Sequence, residues 1–301
     1  MKKINKFFVL ILLTICFTSC QTLADLTAVG LTVAGATGVI EENVATSLVK
    51  TTSSLATASE SITPENEYYI GRATANAILN QYKLLNNKNL TKYLNNICGA
   101  ITINSSTPYL YKGYYVAVLD TDEINAMATP GGHIFVTKGL IDLTNSEDEL
   151  AAVIAHEVAH IQKQHSVKAI KTSRFTKFGL DATSSALAVA TNGEVAEITG
   201  AFEDSVKDVF NSLVDSGYSK DQEYEADAYA LQLLQQAGYN PFGLQEMINS
   251  LDKNTDNSQK GFYKTHPSPK SRSTKLQKEI KNYSQIEVTQ ERVSRFSNIK
   301  K

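Results

Sequence analysis

The sequence predicts an α+β fold, mainly helical, with one small sheet placed early in the chain. Three observations carry this. Short β-prone runs are confined to residues 113–137, helical periodicity continues from residue 140 almost to the end, and strands and helices do not alternate as a doubly wound sheet would require. At 301 residues the chain can bury one large core or two modest ones. Its 29 basic and 31 acidic residues nearly cancel, so bulk charge asks for neither nucleic acid nor an acidic substrate, and specificity must come from a local site.

Residues 1–19 read as a signal peptide. Lys2, Lys3 and Lys6 precede an uncharged apolar run from Phe7 to Ile15, with small polar residues just after. That run is shorter than the roughly twenty residues a permanent membrane span needs. Phe17-Thr18-Ser19-Cys20 resembles the lipobox of bacterial lipoproteins, which makes Cys20 the expected lipidation site. Processing there leaves Cys98 as the one other cysteine, so no intramolecular disulfide can form. Residues 20–62 are rich in Ala, Thr, Ser, Val and Gly, contain no aromatic residue, and read as a lipidated tether.

A folded domain is expected over residues 63–283. Thr63-Pro64 gives a capping hydroxyl and a proline in the first helical position, opening a helix to about Asn86, and a second helix should run from Leu90 to about Ile103. Tyr115–Leu119, Glu123–Met127 and His133–Val136 read as three short strands, with Pro130-Gly131-Gly132 as a turn. Ser146 and Glu149 make a capping box, after which Leu150, Ile154, Val158 and Ile161 recur at helical spacing, so a helix is expected from Glu147 to about Gln164. Ser219 and Gln222 make a second box, opening a helix that should stop at Gly238. Ser268-Pro269 starts a last helix to about Asn282, and residues 284–301 read as a polar, peripheral tail.

The chemistry centres on His156-Glu157-Val158-Ala159-His160, the pattern H-E-x-x-H within the first capped helix. Residues four apart project from one face, so both imidazoles can reach one ion. Glu157 lies about 100° round from His156, where a carboxylate can hold water without ligating the ion. Zinc lowers the pKa of water to about 7, and such a carboxylate can take its proton and return it to a leaving amine. A catalytic zinc usually takes three protein ligands. Glu223 and Asp227 share a face of the second capped helix, which permits Glu223 to bind the ion and Asp227 to hydrogen-bond a ligand imidazole; taken alone, they read equally as a solvated acidic helix start. Glu225 points away from that pair. His133, beside a turn, and His165, near a helix end, are not expected to be ligands.

These segments together resemble the zinc metallopeptidase family that includes HtpX, the CAAX prenyl endopeptidases and BepA. The resemblance implies a zincin-type fold, with the small sheet beside the helix of His156 and His160, and makes Glu223, in Glu223-Tyr224-Glu225-Ala226-Asp227, the third zinc ligand. Lys220 stands where the family usually has Arg. Asn125-Ala126-Met127-Ala128 and Pro130 to Val136 resemble its strand-turn-strand, whose edge pairs with extended substrate, which implicates Asn125 and Ala126; they can equally serve only to make a turn. His266-Pro267 and Arg272 resemble its late H-P motif. That places His266 close to the zinc, as an oxyanion donor or as a reversible plug, unless it is simply a loop histidine beside a proline; Arg272 would orient it or help neutralise charge.

The function implied is zinc-dependent hydrolysis of peptide bonds in unfolded or misassembled cell-envelope proteins, by an enzyme held on the membrane by its N-terminal lipid and facing the periplasm. Gln21 after Cys20 favours the outer membrane by resemblance to enterobacterial sorting. The alternative is an envelope chaperone or assembly factor with a latent peptidase site. A hydrolase of peptidoglycan ranks last, since no wall-binding module is recognisable.

Overall fold

The structure, a computed structural model, describes residues 61–173, 201–254 and 265–300, and Thr46. Cys20, the signal segment and all of the tether except Thr46, Ser61 and Ile62 lie outside the described residues. The chain divides into two compact units, residues 1–61 with 170–201 and residues 62–169 with 202–301. Apart from the first residue of one helix, the elements below belong to the second unit.

The first helix, α1, spans Pro64–Gln81, with the Thr63 hydroxyl accepting from the Asn66 N–H at 3.1 Å. It stops five residues before the expected Asn86 because the chain there joins the sheet. Leu85 N–H donates to Val118 C=O at 2.9 Å, and Leu84 bridges to Leu119. Helix α2 spans Lys88–Ile103 and is capped by Asn87.

The sheet has the order β1-β3-β2, with β1 at Tyr115–Leu119, β2 at Ala126–Ala128 and β3 at His133–Thr137. β1 is parallel to β3, and β2 is antiparallel to it, with Met127 opposite Phe135. Strand β2 is shorter than the expected Glu123–Met127 and begins later. Ahead of it Glu123 and Asn125 give their N–H groups to the Thr121 and Thr137 hydroxyls, at 3.3 and 3.0 Å. Pro130–Gly132 forms a single 3-10 turn between β2 and β3, with Gly131 at φ 73°, in the left-handed region that favours glycine. Helix α1 lies directly on this turn: a Cβ on Gly71 would fall 1.7 Å from the Pro130 carbonyl oxygen.

Helix α3 (Lys138–Leu143) leads into α4 (Glu147–Gln162), around which the core is built. Leu150, Ile154 and Val158 are fully buried, at roughly 1.5–3 kcal/mol each for such side chains. Ala151, Ala152, Ala155 and Ala159 are buried too, and their small side chains let neighbouring elements approach closely. The Ser146 hydroxyl accepts from Glu149 N–H at 3.1 Å, but the Glu149 carboxylate reaches back to Asn145 N–H rather than to the capping residue, so the box is only half closed. Helix α5 (Ala201–Asn211) and a π turn (Ser212–Ser216) precede α6 (Lys220–Ala237), whose box is complete and which ends on left-handed Gly238.

Helices α6, α7 (Phe242–Lys253) and α2 pack around α4, with β2 alongside, and α8 (Pro269–Glu279) packs on α6 and α7. Residues 284–301, expected as a peripheral tail, instead contain a further helix, α9 (Gln290–Ile299), docked at the start of α4. Phe296 is buried there, Arg292 donates to Asp148 at 2.8 Å, and Arg295 to Glu147 at 2.7 Å. The polar composition hid this, because the helix docks chiefly through ion pairs. Among the described residues no helix is long and apolar enough to cross a membrane.

Candidate metal centre

Helix α4 presents His156 and His160 one turn apart, with their Nε2 atoms 3.0 Å from each other. Helix α6 brings Glu223 to the same point, its two oxygens 3.6 Å from His156 Nε2 and 3.5 Å from His160 Nε2. A residue three positions ahead of α8 completes the group: His266 Nδ1 lies 2.7 Å from Glu223 Oε2. One donor atom from each of these four buried residues falls within 4.8 Å of every other. Imidazole nitrogen with carboxylate oxygen is a donor set that suits zinc.

The hydrogen bonding also fits an ion. Glu223 Oε1 is buried and has no hydrogen-bond partner among the described residues, and the same holds for Glu157 Oε1. Two carboxylate oxygens stranded in one buried place would each cost free energy unless something else satisfies them. Burial would raise the Glu223 carboxyl, yet His266, His156 and His160 outweigh it and hold it well below the usual range. At Glu157 burial, joined by the Glu223 charge, outweighs the pull of His156 and Arg272 and pushes it up to about 7, a value suited to a group that exchanges protons near neutrality.

Behind each histidine stands a support. His156 Nδ1 faces Asp227 Oδ1 at 3.0 Å, and Arg272 clamps that carboxylate, its Nε donating to Oδ2 at 2.9 Å. Arg272 is itself buried and also lies 3.4 Å from His156 Nδ1. It therefore serves Asp227 and His156, with no contact to His266 needed for that role. Burial and Arg272 pull the His156 imidazole down, but Asp227 and Glu223 outweigh them and push it up to about 9.

His160 is backed differently. Its Nδ1 faces Nδ1 of His165 at 2.8 Å, and the Tyr218 ring stacks on it with centroids 4.5 Å apart. His165, not expected as a ligand, backs one instead, and no sequence pattern marks Tyr218. Helical spacing could not have placed His165, because α4 ends at Gln162 and Gln164, at φ 54°, turns the chain back before the helix resumes. Glu225, expected to point away from the ions' side of α6, does so and meets His165 Nε2 at 3.2 Å. His133 is not part of this group; it is stacked on Tyr68 with its Nδ1 3.3 Å from the Thr129 hydroxyl.

Asn125 and Ala126 stand at the start of β2, which packs against α4. Asn125 is buried, its Nδ2 donates to Glu123 at 3.3 Å, and its Oδ1 has no partner among the described residues. β2 is an edge strand. Since Thr137 N–H bonds to Asn125 C=O and Thr129 N–H to His133 C=O, the alternation of an antiparallel ladder turns the N–H and C=O groups of Ala126 and Ala128 away from β3.

Comparison with known proteins agrees with this chemistry. The model of Peptidase family M48 matches residues 86–280. The chain is 26% identical over 215 residues to a Beta-barrel assembly-enhancing protease of Yersinia pestis, covering 68% of this chain and 41% of that protein. It is 31% identical over 188 residues to Metalloprotease LoiP of Escherichia coli, covering 62% of this chain and 69% of the relative. It is also 30% identical over 159 residues to the Mitochondrial metalloendopeptidase OMA1 of Schizosaccharomyces pombe, over 51% and 42% of the two chains. The chain thus spans about two fifths of the first relative's length, 41%.

Proposed function

This chain belongs to peptidase family M48, and from that membership we propose that it is a zinc-dependent endopeptidase acting on unfolded or misassembled proteins of the cell envelope. The observation that carries the reading is the buried convergence of His156, His160 and Glu223 beside a carboxylate, Glu157, with an unsatisfied oxygen. Held by those three ligands, zinc would supply a Lewis acid to polarise the scissile carbonyl and would lower the pKa of water to about 7. Glu157 takes the proton from the attacking water and hands it to the leaving amine, for which a carboxyl pushed up to about 7 is well matched. Asp227, clamped by Arg272, keeps the His156 ring turned with Nε2 toward the ligand group.

The substrate backbone is proposed to add to the free edge of β2, where Ala126 and Ala128 offer main-chain donors and acceptors without asking for a particular side chain. That indifference suits a non-native substrate. Asn125, at the head of the strand, would hold its end through the unpartnered Oδ1. The name of one relative, Beta-barrel assembly-enhancing protease, and the lipobox-like Cys20 support placing the reaction at an envelope membrane, with the lipid as anchor.

One observation favours a second reading, an assembly factor whose peptidase site is latent. His266 Nδ1 already hydrogen-bonds Glu223 Oε2 at 2.7 Å, so the imidazole stands beside a proposed ligand, where it could plug the site. The same position would let it stabilise an oxyanion. Zinc content and casein cleavage, measured on one preparation of the parent and of His266→Ala, test all of this. Stoichiometric zinc with chelator-sensitive cleavage in the parent, falling about a hundredfold in the variant, supports the enzyme with His266 as oxyanion donor. Zinc without cleavage in the parent and cleavage gained in the variant supports the latent site. A parent that binds no zinc refutes both.

A further inference from the structure

The two helix histidines have unlike supports, and only one contains a carboxylate in direct contact. His156 Nδ1 meets Asp227 at 3.0 Å. A carboxylate only accepts, so His156 must carry its hydrogen on Nδ1 and keep the Nε2 lone pair for an ion. His160 Nδ1 meets another imidazole, His165 Nδ1, at 2.8 Å, and an imidazole can either give or accept. Nothing in that contact alone decides which nitrogen of His160 holds the hydrogen.

The next contact decides it. His165 Nε2 lies 3.2 Å from Glu225 Oε2, and Glu225 is flanked by Lys168 Nζ at 3.4 Å and Lys163 Nζ at 3.9 Å. Since Glu225 only accepts, His165 gives its Nε2–H and its Nδ1 becomes the acceptor, so His160 must donate from Nδ1. We propose that His165 and Glu225 are positioning residues that impose the Nδ1–H form on His160 by relay, leaving its Nε2 lone pair aimed at the metal. This rests on the reading of His156, His160 and Glu223 as zinc ligands.

Two further features agree with a built arrangement. His165 is fully buried, and it is brought to His160 by Gln164 at φ 54°, a left-handed conformation that strains a residue other than glycine. Strain of that kind persists where the neighbouring structure requires it. Tyr218 complements the relay: stacked at 4.5 Å and 20° to the His160 plane, with its hydroxyl held by Ser166, it fixes the ring's plane while His165 fixes its hydrogen. One carboxylate thus acts across a single bond on His156, and another acts across two on His160. Both come from α6, on which Glu223 also sits.

The test uses the full chain with His165→Leu, His165→Gln and Glu225→Ala, reading zinc affinity by competition with a chromophoric chelator and the His160 tautomer by 15N NMR of labelled histidines. Leucine cannot accept, and its variant should bind zinc about ten- to a hundredfold more weakly, as outer-shell losses do. Glutamine can accept from His160 and donate to Glu225, so His165→Gln should recover most of the affinity, which a merely space-filling role for His165 would not predict. Glu225→Ala should weaken zinc several-fold, on the order of the lower end of that range, and broaden or lose the His160 Nδ1–H signal. Its side chain is 42% exposed, so this variant tests the relay even if His165→Leu does not fold. A parent-like affinity and tautomer in Glu225→Ala, or equal losses in His165→Leu and His165→Gln, overturns the relay while leaving the zinc site standing. A parent chain that binds no zinc overturns both.

Discussion

Glu147 and Glu157 are carboxylates ten positions apart on the same helix, each 2% exposed, and their surroundings are opposite. Glu147 receives the Tyr93 hydroxyl at 2.8 Å, the Tyr239 hydroxyl at 3.3 Å and two guanidinium bonds from Arg295, so both of its oxygens are satisfied. Glu157 keeps one oxygen without any partner among the described residues, and burial pushes its carboxyl up to about 7. Burying a carboxylate is costly in either place. At the helix start the fold offsets the cost with donors from three other segments. Toward the other end it leaves the cost standing, which is the mark of a group kept for chemistry rather than for stability.

The largest effect should come from exchanging amide for carboxylate at the two positions. Glu157→Gln should keep zinc, fold at least as stably as the parent, and lose about 10²–10⁴-fold in cleavage, since the amide cannot take a proton. Glu147→Gln should do the reverse, with a lower melting temperature and unchanged turnover per folded, zinc-loaded molecule. Unfolding transitions and casein cleavage on the two variants side by side measure this. If Glu157→Gln cleaves normally, or loses stability as Glu147→Gln does, the contrast between the two ends is false.

The two ends were also unequally legible in the sequence. H-E-x-x-H and the Ser146 cap are local patterns, and the spacing of His156, Glu157 and His160 on one helix follows from 3.6 residues per turn. Glu223 and Asp227 were legible for the same reason, once a partner helix was supposed. The pairings of Glu147 were not, because Tyr93, Tyr239 and Arg295 are separated from it by 54, 92 and 148 positions. His165 escaped because a left-handed Gln164, invisible to periodicity, turns it back on His160. The parallel pairing of β1 with β3 escaped similarly: periodicity gives a strand but not its neighbour.

A second, smaller effect should follow from ending the chain at residue 283. That removes Arg292, whose side chain is 13% exposed and which meets Asp148 at 2.8 Å, together with the buried ring of Phe296. Breaking such a pair leaves Asp148 buried with its neighbour Glu147, at a cost of roughly 3–5 kcal/mol. Arg295, 55% exposed, leaves as well, and Glu147 then keeps only the Tyr93 and Tyr239 hydroxyls among the donors named above. The melting temperature should fall by roughly 6–20 °C for a unit of this size. Well below the new transition, zinc content and cleavage should match the parent, because none of the deleted side chains reaches the ligand group. Loss of zinc in a still-folded truncated chain would mean that the two ends of α4 are coupled.

The smallest change that still separates the two carboxylates is Tyr93→Phe. Burial, and then the bond to Glu147, hold the Tyr93 hydroxyl well above its ordinary range, so at any pH the folded protein meets it is a donor and never a charge. Removing it takes the 2.8 Å bond from Glu147 Oε2 but leaves Arg295 Nε on the same oxygen at 3.3 Å, and Tyr239 with Arg295 Nη2 on the other. A hydrogen bond to a charged group is worth about 1.5–3 kcal/mol, and the partner left behind offsets part of it, so a cost of about 1 kcal/mol is expected. That corresponds to a fall of about 2–4 °C in melting temperature, with zinc affinity and turnover unchanged. A loss above about 3 kcal/mol would mean that Arg295 does not hold Glu147 in solution and that its surplus of donors is illusory. Glu147 would then be nearly as exposed to the cost of burial as Glu157, and the distinction between the two ends would have to rest on the metal ligands alone.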